Sequence, residues 1–149
     1  MFEFEVKTTR DTKQLLKDMP KALRKGLIAG MNEAMKFAKD KAKKSFGSPG
    51  KPNVVTGKLR ESIKHTSKIV GTNLIGTLTS DRIYARIQEE GGVIKAKGGF
   101  LRFPIGGSWV SVESVTIPRR SFLRPAIQDN LNKINQIITD SVSETFERL

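Results

Sequence analysis

The sequence has no cysteine and a single histidine, His65. The first absence excludes a disulfide scaffold, a thiol nucleophile and any cysteine-ligated zinc or iron–sulfur centre. The second excludes a histidine-rich metal site. Aromatic residues are sparse, with one Trp and one Tyr beside eight Phe. Single-strand nucleic-acid binders interleave aromatic and basic residues on a sheet face, but here Phe100, Phe103 and Trp109 are the only aromatics available and suit a core equally well. No apolar run approaches the roughly 20 residues that span a bilayer, so no membrane partner is expected. The start, MFEFEVKTTR, alternates charge with apolar residues and does not read as a secretion signal. Acidic residues are also short: 15 Asp plus Glu stand against 27 Lys plus Arg, a net charge of +12.

What remains is a basic chain of 149 residues, expected to form one domain over 1–149. A domain of this size hides about two-thirds of its unfolded surface. The basic excess is concentrated. Residues 1–50 carry 12 basic and 6 acidic side chains, residues 51–100 carry 9 and 4, and residues 101–149 carry 6 and 5. A surface of this sign suits a polyanion or an acidic protein partner; the plainer reading is solubility.

Phe2, Phe4 and Val6 alternate with Glu3, Glu5 and Lys7, the period-2 pattern of a half-buried strand. Leu15, Met19, Leu23, Leu27, Met31, Ala34, Ala38, Ala42 and Phe46 then recur every three or four residues, which places them on one helical face. Pro20 divides this run, because proline suits only a helix's first turn. A short helix is therefore predicted up to Asp18, capped by Asp11 or Thr12, and a long one from Pro20 to Ser45. Gly26 and Gly30 lie four apart on the long helix. Tolerance is the simpler reading of the pair, and close approach of another backbone is the alternative. The N-terminal strand and helices thus occupy 1–46. GSPGKPN opens a flexible basic loop over 47–57.

A sheet region is predicted over 58–117. Ile63 to Val70 and Leu74 to Thr79 are β-prone runs joined by Gly71-Thr72-Asn73, a hairpin signal. Asp81 is placed to cap a short helix through Tyr84 and Ile87, with Gly91 as its stop. Val93 to Ala96 and Phe100 to Ile105 flank Lys97-Gly98-Gly99 as a second hairpin, and Gly106-Gly107-Ser108 turns into a last strand, Trp109 to Ile117. A C-terminal helix over 122–147 carries the stripe Leu123, Ile127, Leu131, Ile134, Ile138, Val142 and Phe146. The class is α+β: an antiparallel β-sheet packed by a long N-terminal helix and a C-terminal helix.

Catalytic constellations are hard to find. Glu89 and Glu90 are adjacent, about 100° apart on a helix, and read as a solvated helix end. His65 has no sequence-local acid to orient it. The glycine pairs match neither phosphate-loop spacing. No enzyme activity, cofactor or metal is expected; a hydrolase would have to use His65 or a carboxylate.

Three stretches, in order, carry a resemblance. TGKLRESI (Thr56 to Ile63) is similar to T-G-x-L-x-x-S-I. IYARIQEEGGVIKAK (Ile83 to Lys97) is similar to Y-A-x-x-x-x-x-G-G followed by a hairpin. LRFPIGGSWVSVESVTIPRRSFLRPAI (Leu101 to Ile127) ends in an I-P-x-R-x-F-L pattern. Together they resemble the virion-morphogenesis family of tailed bacteriophages and prophages, which are tail-completion or neck proteins similar in plan to tail terminators. One departure is Ser121, where the family pattern has proline. The resemblance implies a structural assembly protein of the virion, made in the host cytoplasm and placed at the head–tail junction or tail end. It implies a closed homo-oligomeric ring, sixfold, meeting head-completion or portal-side proteins and tail-tube proteins, with double-stranded DNA in the lumen.

On this reading Tyr84, Gly91 and Gly92 anchor the helix-to-hairpin junction. Arg119, Arg120, Phe122, Leu123 and Arg124 fix the C-terminal helix and contribute to a subunit interface. The competing reading of these eight is ordinary packing and turn geometry. Lys41, Lys43, Lys44, Lys51 and Lys58 are candidate contacts for DNA or an acidic partner. The alternative function is nonspecific nucleic-acid binding.

Overall fold

The computed structural model describes residues 2–7, 19–71 and 73–149. The short helix expected up to Asp18, with its Asp11 or Thr12 cap, lies outside the described residues. The predicted α+β class is observed, and the long N-terminal helix packs on both the sheet and the C-terminal helix.

Helix α1 (Lys21–Ser45) owes its position to the apolar spacing: Met31, Ala34, Met35, Ala38 and Ala42 form one buried face. Pro20 stands just before the first turn, where its missing N–H costs nothing, and its carbonyl accepts the Arg24 N–H at 3.1 Å. The buried face lies on a three-stranded antiparallel sheet of order β1 (Phe2–Lys7), β3 (Asn73–Ser80), β2 (Ile63–Val70). Strands β2 and β3 form the expected hairpin, with Val70 paired to Asn73. Strand β1 pairs along the other edge of β3, from Phe2 opposite Ser80 to Lys7 opposite Ile75. The central strand is largely buried, and its Gly76 admits the helix closely: a Cβ there would lie 2.7 Å from Met35 Cγ. Each fully buried Met, Leu or Ile of this core contributes roughly 1.5–3 kcal/mol through removal from water.

Gly26 and Gly30 are more than tolerated. A Cβ on Gly30 would stand 2.9 Å from Ser141 Cβ and 3.1 Å from Ile138 Cα, and one on Gly26 would collide with Thr145. Ser141 Oγ donates to the Gly26 carbonyl at 3.1 Å. The two glycines therefore form a groove in α1 that seats the C-terminal helix, and the side chains they lack would hold the helices apart.

Before β2, helix α2 (Lys58–Glu61) forms a single turn behind Gly57. Buried Ser62 follows it, and its hydroxyl lies 2.6 Å from the Ser80 hydroxyl, fixing the start of β2 against the end of β3. Helix α3 (Ala85–Glu90) stops at Gly91 as expected. Asp81 does not cap it; its carboxylate pairs with Lys64 at 3.0 Å, and that hydrogen bond lowers the Asp81 pKa.

The rest of the predicted sheet region is arranged differently. Strand β4 (Gly92–Lys95) pairs with β7 (Ser114–Ile117), and β5 (Leu101–Ile105) with β6 (Ser108–Val112). Val93 to Ala96 therefore does not pair with Phe100 to Ile105, and the predicted last strand is two strands broken at Glu113. The Ala96 N–H donates to the Glu113 carbonyl at 2.9 Å, so the two ladders follow one another as a single ribbon. Its turn is Gly106-Gly107, and Lys97-Gly98-Gly99 lies in a bulge on one side. Both glycine pairs adopt positive φ, +82° and +83° at Gly98-Gly99 and +56° and +83° at Gly106-Gly107, but only the second joins directly paired residues, Ile105 and Ser108, as a two-residue hairpin turn. The strands of this ribbon pack chiefly on one another, apart from the three-stranded sheet.

The predicted helix over 122–147 is likewise two helices, α4 (Leu123–Gln128) and α5 (Leu131–Glu147). Asn130 divides them: its side-chain amide donates to the Ala126 carbonyl at 3.0 Å, satisfying the end of α4, while its own backbone leaves the helical region. Leu123, Ala126, Ile127 and Ile134 reach the core, whereas Leu131 and Phe146 of the expected stripe are exposed.

Candidate assembly interface

The joint between α3 and α4 is built on one carboxylate. α4 begins without a local side-chain cap, which would leave its first N–H groups unpaired. Glu89 supplies the missing acceptor from the end of α3. Its Oε2 accepts the N–H groups of Phe122 at 2.7 Å and Leu123 at 2.9 Å, and its Oε1 accepts that of Arg124 at 3.0 Å. The Ser121 hydroxyl also donates to Oε1. Glu89 is only 1% exposed, so the solvated reading of the Glu89-Glu90 pair fails for Glu89. Glu90 does face solvent and pairs with Arg86 at 3.0 Å. With both oxygens engaged by donors, Glu89 acts as a clamp. Glu89 lies four residues after Ala85, on the same helical face, and Ala85 is buried too.

A second contact reinforces the clamp. The Arg120 N–H donates to the Gln88 carbonyl at 2.8 Å. Gly91 has φ +72°, and a Cβ on it would stand 2.8 Å from the Arg119 nitrogen. Gly92, at φ +152°, begins the ribbon beside Ile87. Ser121, where the resemblance has proline, gains two roles: its hydroxyl binds Glu89, and its carbonyl accepts Lys51 Nζ at 2.8 Å.

The eight expected interface residues therefore separate. Tyr84 and Arg119 are exposed, and Arg120 and Arg124 are half-buried. Gly91 and Gly92 serve the joint. Phe122 and Leu123 lie in the core, 1% and 0% exposed, where they hold the start of the C-terminal helices, with the Phe122 ring meeting Phe46 edge-on at 5.2 Å between centroids. Their side chains are consumed by this chain's own packing. Of the five lysines, Lys41, Lys44 and Lys58 are exposed and Lys43 is half-buried. Lys41 Nζ lies 5.4 Å from the Phe37 ring centroid, and Lys51 is tied to the joint.

Beside the joint opens a cleft of about 320 Å³. The three resembling stretches converge on it: Thr56, Leu59 and Arg60 from the first, Tyr84 and Gln88 from the second, Arg120 from the third. Val54 and Val55 add exposed apolar surface at its rim. Gln88 Oε1 is buried in its wall and accepts no hydrogen bond.

His65 lies apart from this cleft. Its pKa is lowered by partial burial first and then by the charge of Lys39, against an opposing pull from Asp40. Among the described residues, no three His, Asp or Glu side chains come together as a metal site would require, and no helix is long and apolar enough to cross a membrane. The chain matches no protein-family model, no curated protein and no solved structure.

Proposed function

We propose that this chain is a structural assembly protein of a tailed phage or prophage. It completes the tail or forms part of the neck as a homo-oligomeric ring, with no bond chemistry of its own. The observation that carries this reading is the convergence of the three resembling stretches on one cleft and one joint. Residues separated by more than sixty positions in the chain serve a single surface feature, as expected if they are one interface motif. The projecting ribbon supports it too: Val93, Ile94, Phe100, Ile105 and Trp109 are all exposed, more apolar surface than a freely soluble arm needs. A closed ring requires a heterologous contact, one patch against a different patch, and the cleft and ribbon are two such unlike patches.

The test is electron microscopy of particles produced with an early stop codon in this gene. Filled heads beside separate tails support a head–tail joining role, and overlong tails move the protein to the tail terminus. Normal joined, infectious particles overturn the proposal.

The competing reading, nonspecific nucleic-acid binding, draws on the exposed lysines of α1 and α2. It requires retention on duplex DNA at low salt, with log affinity falling by about 0.9 per phosphate contact for each unit of log salt. Elution independent of salt removes it.

A further inference from the structure

We infer that the tip of the ribbon of one copy inserts Trp109 into the cleft of the next copy, its indole N–H donating to Gln88 Oε1. This deepens the ring reading above and rests on it.

Tip and cleft have complementary needs. Trp109 is 74% exposed, the most exposed aromatic ring among residues 19–149. It stands beside the Gly106-Gly107 turn, opposite Pro104 in the ladder. An indole offers one N–H donor and no acceptor. The cleft offers the matching deficit: Gln88 lines it, and its amide oxygen is closed off from solvent without a donor. Leaving such a group unpaired costs about 1–3 kcal/mol, which favours a turn of the amide into the cleft to accept the indole N–H. The rest of the wall suits an aromatic ring. Leu59 and Tyr84 bring apolar side chains to the cleft, and Arg60 and Arg120 line it as well, the residue type that stacks most readily on an indole face. At about 320 Å³ the cleft lies at the small end of ligand sites, which run from about 300 to 1,000 Å³. That is a socket for a side chain more than for an extended molecule.

The topology makes the contact intermolecular. The cleft lies at the root of the ribbon, where Gly92 pairs with Ile117 and Arg120 meets Gln88. Trp109 lies at the other end. Two successive ladders of four and five pairs at about 3.3 Å per residue extend the ribbon to roughly 30 Å, holding its tip away from its own root. Tip-to-root contact between copies is head-to-tail, the arrangement that propagates around a ring.

Trp109 is the chain's only tryptophan, so its fluorescence reports on this contact alone. The full-length protein would be followed by analytical ultracentrifugation and tryptophan emission across a concentration series. The expected result is assembly accompanied by a blue shift and by protection from iodide quenching. Trp109→Ser and Gln88→Leu should each raise the concentration needed for assembly about tenfold or more, as truncated anchors do. Circular dichroism should find both variants folded, since Trp109 lies outside the core. Trp109→Phe, which removes the donor, should weaken assembly in the native background yet add little to Gln88→Leu, the non-additivity of a direct pair. If the native protein assembles with Trp109 still fully quenchable, or both variants assemble as it does, the tip-to-cleft contact is wrong while the ring reading stands. A native protein that stays monomeric at every concentration overturns the ring and this contact together.

Discussion

The packed body and the projecting ribbon are held by opposite means. In the body, helix α1, the three-stranded sheet and helices α4 and α5 bury one another's apolar faces, and the one buried carboxylate among the described residues is bonded to four donors. The ribbon has a ladder but no cover. Pairing puts Leu101, Phe103, Val110 and Val112 on one face of the outer ladder and Ile94, Val115 and Ile117 on one face of the inner ladder, and the break at Glu113 lets residues of both sets line one groove. The opposite faces carry Arg102, Ser111 and Trp109 on the outer ladder and Lys95 and Ser114 on the inner. The groove is shallow, about 390 Å³. A two-stranded ribbon alone is marginally stable in water. The body's stability is thus internal, and the ribbon's rests on its own ladder.

The contrast breaks most readily at the clamp. Glu89→Ala leaves three backbone N–H groups, two of them buried, and one hydroxyl without their acceptor, and should cost about 3–5 kcal/mol. That is a large part of the 5–15 kcal/mol typical of a domain. Urea unfolding followed by circular dichroism measures it, and Glu89→Gln should fall between the two. A loss under about 1 kcal/mol would mean that the joint does not hold the body. Gly91→Ala should cost less, about 1–3 kcal/mol, from a side chain forced into a left-handed backbone and against Arg119. The same unfolding curves measure it. The smallest effect is expected from the largest change. Because Gly92 and Ile117 face each other, residues 93–116 can be replaced by a two-residue turn. The body should then melt within about 1 kcal/mol of the full chain. A much larger loss would make the ribbon part of the core and erase the distinction.

Much of the body was legible in the sequence. The spacing from Leu23 to Ala42 locates α1, Gly71 the β2–β3 turn, and Gly91 the end of α3, because each depends on a few neighbouring residues. Glu89 was not legible in the same way: its charge argues for solvent, and the donors that keep it buried lie more than thirty residues downstream. The ribbon's pairing was misread because two glycine clusters compete to be its turn, and local sequence weighs them alike. Gly26 and Gly30 had a visible spacing, but only the arrival of α5 gives it a purpose. The cleft was legible only as three separate stretches; their convergence is a property of the folded chain.

The ribbon also bears on how the chain reaches its native state. Glu89 must find Phe122 across an interval long enough to make the search entropically costly. The Gly106-Gly107 turn is local, and a hairpin growing from it closes on a microsecond timescale. As pairing runs down the ladders it brings Gly92 against Ile117, and the gap left between carboxylate and donors shrinks to a few residues on each side. The arm thereby converts a distant encounter into a nearby one, a zipper whose last tooth is the clamp.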